Sequence, residues 1–197
     1  NIKSNKLPFV GFDIWHGYEF STMTTKGLPI TRVIKIRYNC NNEYIVESKS
    51  LKLYLNSYNM SRYGETTEEC LSICRKQIEK DLSDLLQTEV TVNFFDSDYV
   101  PVAERFEGFK NLADFIDESV YQTDIFNETP ELLKIDEITD TYKTYSFKFD
   151  ALRSRCRITS QPDWGDLYLS YTSNRHITEE SLVKYFTSFR GENHFHE

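Results

Sequence analysis

Apolar and polar residues alternate in two stretches of the first half of the chain. Within residues 30–38 the apolar positions 34, 36 and 38 are separated by Lys35 and Arg37, and residues 90–94 repeat this alternation. A period of two is typical of a strand that buries one face. We therefore predict a strand at each place, with a further short strand at residues 44–46. The segment up to about residue 27 has no clear pattern.

Between these strands the apolar residues have the spacing of a helix. Four of them fall at positions i, i+3, i+4 and i+7 and form one face; they are Leu51, Tyr54, Leu55 and Tyr58. Ser48 is a suitable N-cap, because its hydroxyl can accept a hydrogen bond from an early helical N–H. Glu47 then lies just before the helix, beside its positive end. We expect the helix to end near Asn59.

A second helix is predicted from about residue 67 to residue 86. Thr66 and Glu69 have the spacing of a capping box at its start. Its inward residues are predicted to be Leu71, Cys74, Ile78, Leu82 and Leu85. We therefore interpret Cys74 as a core residue rather than a metal ligand.

Residues 98–141 are acidic and contain Pro101 and Pro130, so we interpret them as a connector. Within this connector, residues 113–116 indicate a helical turn and residues 120–123 a strand.

After the connector the alternation resumes and leads into a helix. The alternating residues are Tyr145, Phe147 and Phe149, then Leu167, Leu169 and Tyr171. A final helix that starts near Thr178 is expected to bury Leu182, Val183, Phe186 and Phe189. Two strands followed by a helix thus occur twice. This order predicts an α+β fold with two modules, at residues 1–97 and 142–197.

The last two predicted strands flank a loop that contains one cysteine and one carboxylate. The loop is RCRITSQPDWG, at residues 155–165, with Cys156 and Asp163 seven residues apart. If it folds back, the two side chains face one pocket as nucleophile and acid, held by rigid strands. The neighbouring Arg155 and Arg157 favour the thiolate. The alternative is a buried structural cysteine and a turn aspartate.

Composition and charge limit the classes of function. The chain has 23 Lys plus Arg and 31 Asp plus Glu, a net charge of −8. This balance argues against binding nucleic acid through its phosphates. The cysteines at 40, 70, 74 and 156 show neither a disulfide framework nor zinc-finger spacing, so we expect a reduced, cytoplasmic protein. No apolar run is long enough to span a membrane.

Several motifs together resemble one enzyme family. The segment SRCRITSQPDWG at 154–165 is similar to the catalytic loop of the QueF family, the NADPH-dependent 7-cyano-7-deazaguanine reductases. Residues 47–57, ESKSLKLYLNS, resemble the family's own signature. The resemblance covers most of the chain and is weakest at about 98–141. Shorter matches in the family's order are LPF at 7–9, DIW at 13–15, YE at 18–19, SFR at 188–190 and NHFHE at 193–197.

This resemblance implies the fold and the biological setting. The family has a tunnelling fold, here two tandem modules of antiparallel sheet and helices, and its two-module form is a homodimer. It serves queuosine biosynthesis, a tRNA modification, without direct contact with nucleic acid. The second module stops after its first helix, so we expect it to be incomplete. The usual Arg-Gly cofactor contact is expected beyond the end of the chain.

The implied reaction reduces the nitrile of 7-cyano-7-deazaguanine to a primary amine with NADPH. Cys156 matches the nucleophile that forms a covalent thioimide with the nitrile carbon. Asp163 matches the acid that delivers protons to nitrogen, a role that requires partial desolvation of its carboxyl. His196 matches a residue that assists proton transfer.

The resemblance also assigns the substrate contacts. Glu47 and Glu197 are the expected readers of the 7-deazapurine, because a carboxylate accepts two hydrogen bonds from adjacent N–H and NH₂ donors. Val46, Ser48 and His196 are expected to line the same substrate site.

Ser48, Lys49 and Lys52 match the cofactor contacts of the family. Two lysines three residues apart on a helix can meet a phosphate as point charges. Arg155 and Arg157 depart from the family pattern, which more often has uncharged residues beside the cysteine. No metal is expected.

Two other functions stay open at this point. A GTP cyclohydrolase I-like hydrolase shares the tunnelling fold but needs a zinc site, for which Cys156 and the distant histidines are a poor set. A purine-binding relative without turnover would bind the nitrile and leave NADPH unoxidised.

Overall fold

The structure, a computed structural model, describes residues 10–101 and 106–194. These residues form two compact units that divide after Pro101, which we call the first and the second unit. Each combines a three-stranded sheet with helices, so the predicted α+β class is confirmed. The predicted module bounds at 97 and 142 stay a prediction. No helix in the described part is long and apolar enough to cross a membrane.

The first unit contains three antiparallel strands and two helices. In chain order these are β1 (Phe12–Met23), β2 (Pro29–Asn39), α1 (Ser48–Asn56), α2 (Thr67–Leu86) and β3 (Val90–Phe95), and the sheet order is β1-β2-β3. The predicted strand at 44–46 is wrong: these residues form a loop. The first strand of the unit is instead β1, in the segment that showed no pattern.

The core of the first unit lies between β2 and α2. Ile34, Ile36 and Tyr38 are at most 1% exposed, which confirms the predicted inner face of β2. The buried residues of α2 repeat at every fourth position and are Cys70, Cys74, Ile78, Leu82 and Leu86. The prediction for Leu85 is wrong, because that position turns to solvent and is 65% exposed. Leu71 packs against the core from its margin.

The helices of the first unit start and end close to the predicted residues. Thr66 caps α2 by accepting a hydrogen bond from the Glu69 N–H, as predicted. The N-cap of α1 is Glu47 and not Ser48, because the extended backbone of Glu47 places its carboxylate on the first free N–H groups. Helix α1 ends at Asn56, earlier than expected, and turns follow it.

The second unit is built on one long hairpin. Its elements are β4 (Lys110–Asn111), β5 (Ile135–Arg155), β6 (Pro162–Ile177) and α3 (Glu179–Ser188), with sheet order β4-β5-β6. Strands β5 and β6 are antiparallel and longer than predicted, and β4 adds in parallel. A 3₁₀ turn at Leu112–Phe115 agrees with the predicted helical turn. The predicted strand at 120–123 is wrong, since these residues form turn and loop.

Helix α3 covers one face of the hairpin. It starts near Thr178, as predicted, and Thr178 caps it by accepting a hydrogen bond from the Ser181 N–H. Leu182 and Val183 are buried with Phe147 and Phe149 of β5. Leu112 of the predicted connector is fully buried in the same core, so this segment packs on the hairpin.

Candidate active site

Cys156 is the first residue after β5, at the closed end of the hairpin. Its N–H donates to the carbonyl of Gln161 (2.8 Å), and its carbonyl accepts from the Ser160 N–H (2.9 Å). Ser160 adopts a positive φ of 55° to close the turn. The turn therefore spans only residues 156–161. Asp163 lies on β6 and not in the loop where it was expected.

The register of the hairpin brings Cys156 and Asp163 to the same face. Ser154 is the partner of Asp163 and Arg155 that of Pro162, and residues directly opposite in an antiparallel pair project to one side. Ser154 and Cys156 are two residues apart, so they share that side too. Cys156 and Asp163 are then diagonal neighbours, with a typical separation of roughly 7–8 Å.

The two residues differ in exposure. Cys156 is 5% exposed, and Asp163 is partly buried. Consecutive strand residues alternate between faces, so Arg155 is exposed on the side of the hairpin opposite to Cys156. The predicted effect of Arg155 and Arg157 on the thiol stays a prediction.

Ser154 is a residue of this region that the sequence analysis did not identify. It is 4% exposed, and its hydroxyl has no hydrogen-bond partner among the described residues. It also lines a cleft of about 540 Å³ between the hairpin and α3, together with Leu152, Leu167, Tyr185 and Phe189. The signal for Ser154 was its position two residues before Cys156, which puts both side chains on one strand face.

The start of α1 carries the predicted ligand contacts of the first unit. The Glu47 carboxylate accepts hydrogen bonds from the Lys49 N–H (3.0 Å), the Ser50 N–H (2.7 Å) and the Ser50 hydroxyl (2.8 Å). The bond from Lys49 and the two from Ser50 lower the pKa of Glu47 below its ordinary value of 4.5. The Glu47 carboxylate thus has about one acceptor position left for a further donor, on Oε1.

Val46 directly precedes Glu47, and a hydrogen bond of its backbone fixes its position. It is 6% exposed, and its N–H donates to the hydroxyl of Tyr38 (3.4 Å). The same hydroxyl accepts from the indole N–H of Trp15 (3.3 Å). The buried tyrosine therefore joins β1, β2 and the loop before α1, which fixes where Glu47 begins the helix.

Ser48 and Lys52 both line a cleft of about 360 Å³ between α1 and the sheet. The other wall is formed by Trp15, Gly17 and Ile36. Gly17 is needed there, because a Cβ at this position would lie 2.8 Å from the Ile34 side chain. Lys49 is exposed and does not line the cleft.

The predicted site residues thus fall into two groups. Cys156 and Asp163 lie at the closed end of the hairpin in the second unit, and Val46, Glu47, Ser48, Lys49 and Lys52 lie in and just before α1 in the first. His196 and Glu197 lie outside the described residues, so their predicted roles stay predictions. Within the described part of the chain, no three His, Cys, Asp or Glu side chains are placed to hold a metal ion.

Comparison with known proteins identifies the same enzymes over the whole chain. A family model for "Nitrile reductase, 7-cyano-7-deazaguanine-reductase N-term" matches residues 1–94. A reductase of Colwellia psychrerythraea is 37% identical over 198 residues, covering 100% of this chain and 67% of the relative. One from Legionella pneumophila is 34% identical over 197 residues, with 100% and 65% covered. One from Coxiella burnetii is 35% identical over 195 residues, with 98% and 65% covered.

All three relatives are named NADPH-dependent 7-cyano-7-deazaguanine reductases. The chain spans about two thirds of their length. The predicted enzyme class and cofactor, an oxidoreductase that uses NADPH, are those for which the relatives are named. The chain therefore belongs to the family of NADPH-dependent 7-cyano-7-deazaguanine reductases, which confirms the resemblance found in its motifs.

Proposed function

We propose that this protein reduces the nitrile of 7-cyano-7-deazaguanine to 7-aminomethyl-7-deazaguanine. The observation that carries the proposal is the pairing of a buried cysteine with a carboxylate on the same face of a hairpin, in a chain of this family. Conversion of a nitrile to a primary amine takes up two hydrides and two protons. The site must therefore hold the substrate and supply protons twice.

Cys156 is the nucleophile in this proposal. Its thiolate adds to the nitrile carbon, the C≡N bond becomes C=N, and the nitrogen takes up a proton. The product is a thioimide covalently bound to the chain. A cysteine suits the step, because sulfur is nucleophilic near neutral pH and leaves readily when the bond to carbon must break.

Asp163 is the acid that protonates the substrate nitrogen. It lies on β6 opposite Ser154, which is two residues before Cys156, and this position supports the assignment. His196 is proposed to assist these transfers.

The substrate is held by its purine-like edge. Glu47 and Glu197 accept from the ring N–H and NH₂ groups, and Val46, Ser48 and His196 complete the contacts. Glu47 is ionised and oriented by its three hydrogen bonds at the start of α1. These bonds support the role, because a carboxylate that is already fixed loses little entropy on binding.

NADPH supplies the hydrides when bound. Ser48, Lys49 and Lys52 are the residues proposed to hold it, and the cleft lined by Ser48 and Lys52 supports this assignment. Lys52 suits a phosphate group, and the apolar part of the lining, which includes Trp15 and Leu51, suits a ring.

The wider setting follows from the same proposal. We propose a tunnelling fold for the two units, a homodimer as the working form, and no direct contact with nucleic acid. The four cysteines form no disulfide, which supports a reducing, cytoplasmic setting in queuosine biosynthesis.

The test is the loss of NADPH absorbance when 7-cyano-7-deazaguanine is added to the purified protein. Two NADPH should be consumed for each amine formed, as measured by mass spectrometry of the product. Tight binding of the nitrile with no NADPH oxidation would refute the proposal in favour of a purine-binding relative without turnover.

A further inference from the structure

Trp164 lies between two guanidinium groups near the closed end of the hairpin. Its side chain is 62% exposed. The guanidinium carbon of Arg153 is 5.4 Å from the centre of the indole ring, and that of Arg190 is 5.8 Å from it. Arg153 is the cross-strand partner of Trp164, and the exposed Arg155 follows two residues later on the same face. We call these four residues the Arg–Trp patch.

The cations of this patch lack anionic partners. Within residues 10–101 and 106–194, Arg153, Arg155 and Arg190 make no ion pair with a carboxylate. The Nε–H of Arg153 is buried and has no hydrogen-bond acceptor among those residues. A buried donor without an acceptor is costly. Such an accumulation of positive charge stands out in a protein of net charge −8.

The position of Arg190 is fixed without neutralising its charge. Its Nη1 donates to the carbonyl of Ala151 (3.4 Å), so the guanidinium is anchored beside β5. Two like charges against one ring repel each other, and an anion between them would relieve that repulsion. Asp166 lies two residues after Trp164 on the same face, but among the described residues it makes no ion pair with Arg153 or Arg190.

The chemistry of the patch selects an aromatic ligand that carries phosphate. Guanidinium groups bind phosphate oxygens through pairs of N–H donors. An exposed indole offers a flat face on which a base can stack. A simple anion would use the arginines and leave the indole without a role.

We propose that the Arg–Trp patch binds the phosphorylated end of a nucleotide. This inference goes beyond the proposed function, because the residues proposed there to hold NADPH lie in the first unit and the patch lies in the second. The nucleotide class itself rests only on the arginines and Trp164.

The experiment titrates adenosine 2′,5′-bisphosphate, which cannot be reduced or oxidised, into the protein and measures heat release. Arg153→Ala and Arg190→Ala should each weaken binding at least about tenfold, the loss expected for one charge-assisted contact. Arg175→Ala is the matched control, because Arg175 is an exposed arginine at the far end of β6 and should leave binding unchanged. Arg190→Lys keeps the charge, so binding by this variant would show that the loss in Arg190→Ala is not caused by misfolding.

A titration with inorganic phosphate distinguishes a nucleotide site from a simple anion site. Trp164→Ala should weaken the nucleotide several-fold and leave inorganic phosphate unaffected. Equal binding of both ligands, with no effect of Trp164→Ala, would show a simple anion site and overturn the proposal. Failure of the bisphosphate to bind the unaltered protein would overturn it as well.

The experiments distinguish a failure of the nucleotide site from a failure of the proposed reductase activity. If the bisphosphate binds at the patch but the nitrile causes no NADPH oxidation, the nucleotide site stands and the reductase activity does not. If turnover occurs but the bisphosphate does not bind, the reductase activity stands and the nucleotide site does not.

Discussion

The β1–β2 and β5–β6 hairpins close with similar main-chain hydrogen bonds but carry different residues just after their first strand. In the first unit, Thr24 follows β1, donates its N–H to the Leu28 carbonyl (3.0 Å), and accepts at its carbonyl from the Gly27 N–H (2.9 Å). In the second, Cys156 makes the same two bonds with Gln161 and Ser160. Gly27 and Ser160 both have positive φ. Thr24 and Cys156 therefore occupy equivalent positions.

The likeness extends to the strand beside each turn. Met23 bridges in parallel to Arg62, and Arg155 bridges in parallel to Asn193. In the first unit the hydroxyl of Thr22 is satisfied, because it donates to the Ser61 carbonyl (3.3 Å). Ser154 holds the corresponding place in the second unit and has no partner among the described residues.

The difference lies in what the side chain does for the turn. The hydroxyl of Thr24 accepts a hydrogen bond from the Leu28 N–H (3.1 Å), so it helps to close its hairpin. The bonds that close the other turn run through the main chain of Cys156. The same position thus carries a side chain that closes the turn in the first unit and the proposed nucleophile in the second.

Replacing the cysteine should have the largest effect on this contrast. Cys156→Ala should lower turnover at least about 1,000-fold, as expected when a nucleophile is removed. Intact-mass analysis after mixing with the nitrile, without NADPH, should show an added substrate mass only in the unaltered protein. An adduct that persists in Cys156→Ala, or that maps to Cys40, contradicts the assignment. Thr24→Cys in a Cys156→Ala background should form no adduct, because that turn has no acid opposite it.

Removal of the proposed acid, Asp163, should have the second largest effect on turnover. Asp163→Asn should bind the nitrile and turn it over about 100-fold more slowly, a typical loss for general acid catalysis. Asn keeps the size of the side chain, so the hairpin is preserved. Steady-state rates and substrate binding should be measured on the same preparation. Unchanged kcat would exclude Asp163 from the mechanism.

The structural role of Thr24 predicts a smaller effect of another kind. Thr24→Val keeps the shape and leaves the partly buried N–H of Leu28 without its side-chain acceptor. The free energy of unfolding should fall by about 1–2 kcal/mol, while formation of the nitrile adduct in the second unit is unchanged. Urea denaturation measures the first quantity and intact mass the second. A loss of adduct would mean that the two hairpins are not independent in function.

The smallest expected difference between the units concerns the pH dependence of their stability, which should run in opposite directions. The lowered pKa of Glu47 means that its cap stabilises fully above pH 4.5 and is lost as pH falls through the lowered value. Burial lowers the pKa of His176, but its hydrogen bond with Asp136 (2.8 Å) and the charges of Glu179 and Asp136 outweigh this and raise it above 6.5. Its contribution is therefore full below pH 6.5 and is lost as pH rises through the raised value.

Two variants test this prediction by urea denaturation across pH. The stability lost in Glu47→Gln should shrink in acid, and that lost in His176→Gln should shrink in alkali. A constant loss at every pH in either variant would rule out the corresponding contact.

Strong periodicity made most of the fold predictable from the sequence. Helix α2 and the paired strands of the second unit show clean spacing, and the structure has them where expected. Strand β1 was missed, because a bulge between Gly17 and Phe20 shifts its register and interrupts the alternation. The cap of α1 was placed one residue late, because Glu47 and Ser48 both carry a side chain that can accept from the first turn.

The candidate site was predictable as far as its motifs reach. Cys156 and Asp163 follow from the loop motif, but their shared face depends on the pairing of Ser154 with Asp163. The Arg–Trp patch was not predictable, because Arg190 is distant in sequence from Trp164 and only the fold brings the two together. Chemistry held within one segment is visible in a sequence, whereas contacts across strands require the register.

The short turn at Cys156 also has a consequence for the order of folding. Strands β5 and β6 have 21 and 16 residues and are joined by residues 156–161 alone, so the pairs nearest the turn, such as Arg155 with Pro162, are local in sequence. Hairpins of this kind close within roughly microseconds, far faster than pairings across long loops. In contrast, β3 can join β2 only after the whole of α1 and α2 has been made. We therefore expect Cys156 and Asp163 to meet on the nascent chain soon after β6 is synthesised, before α3 has packed over them.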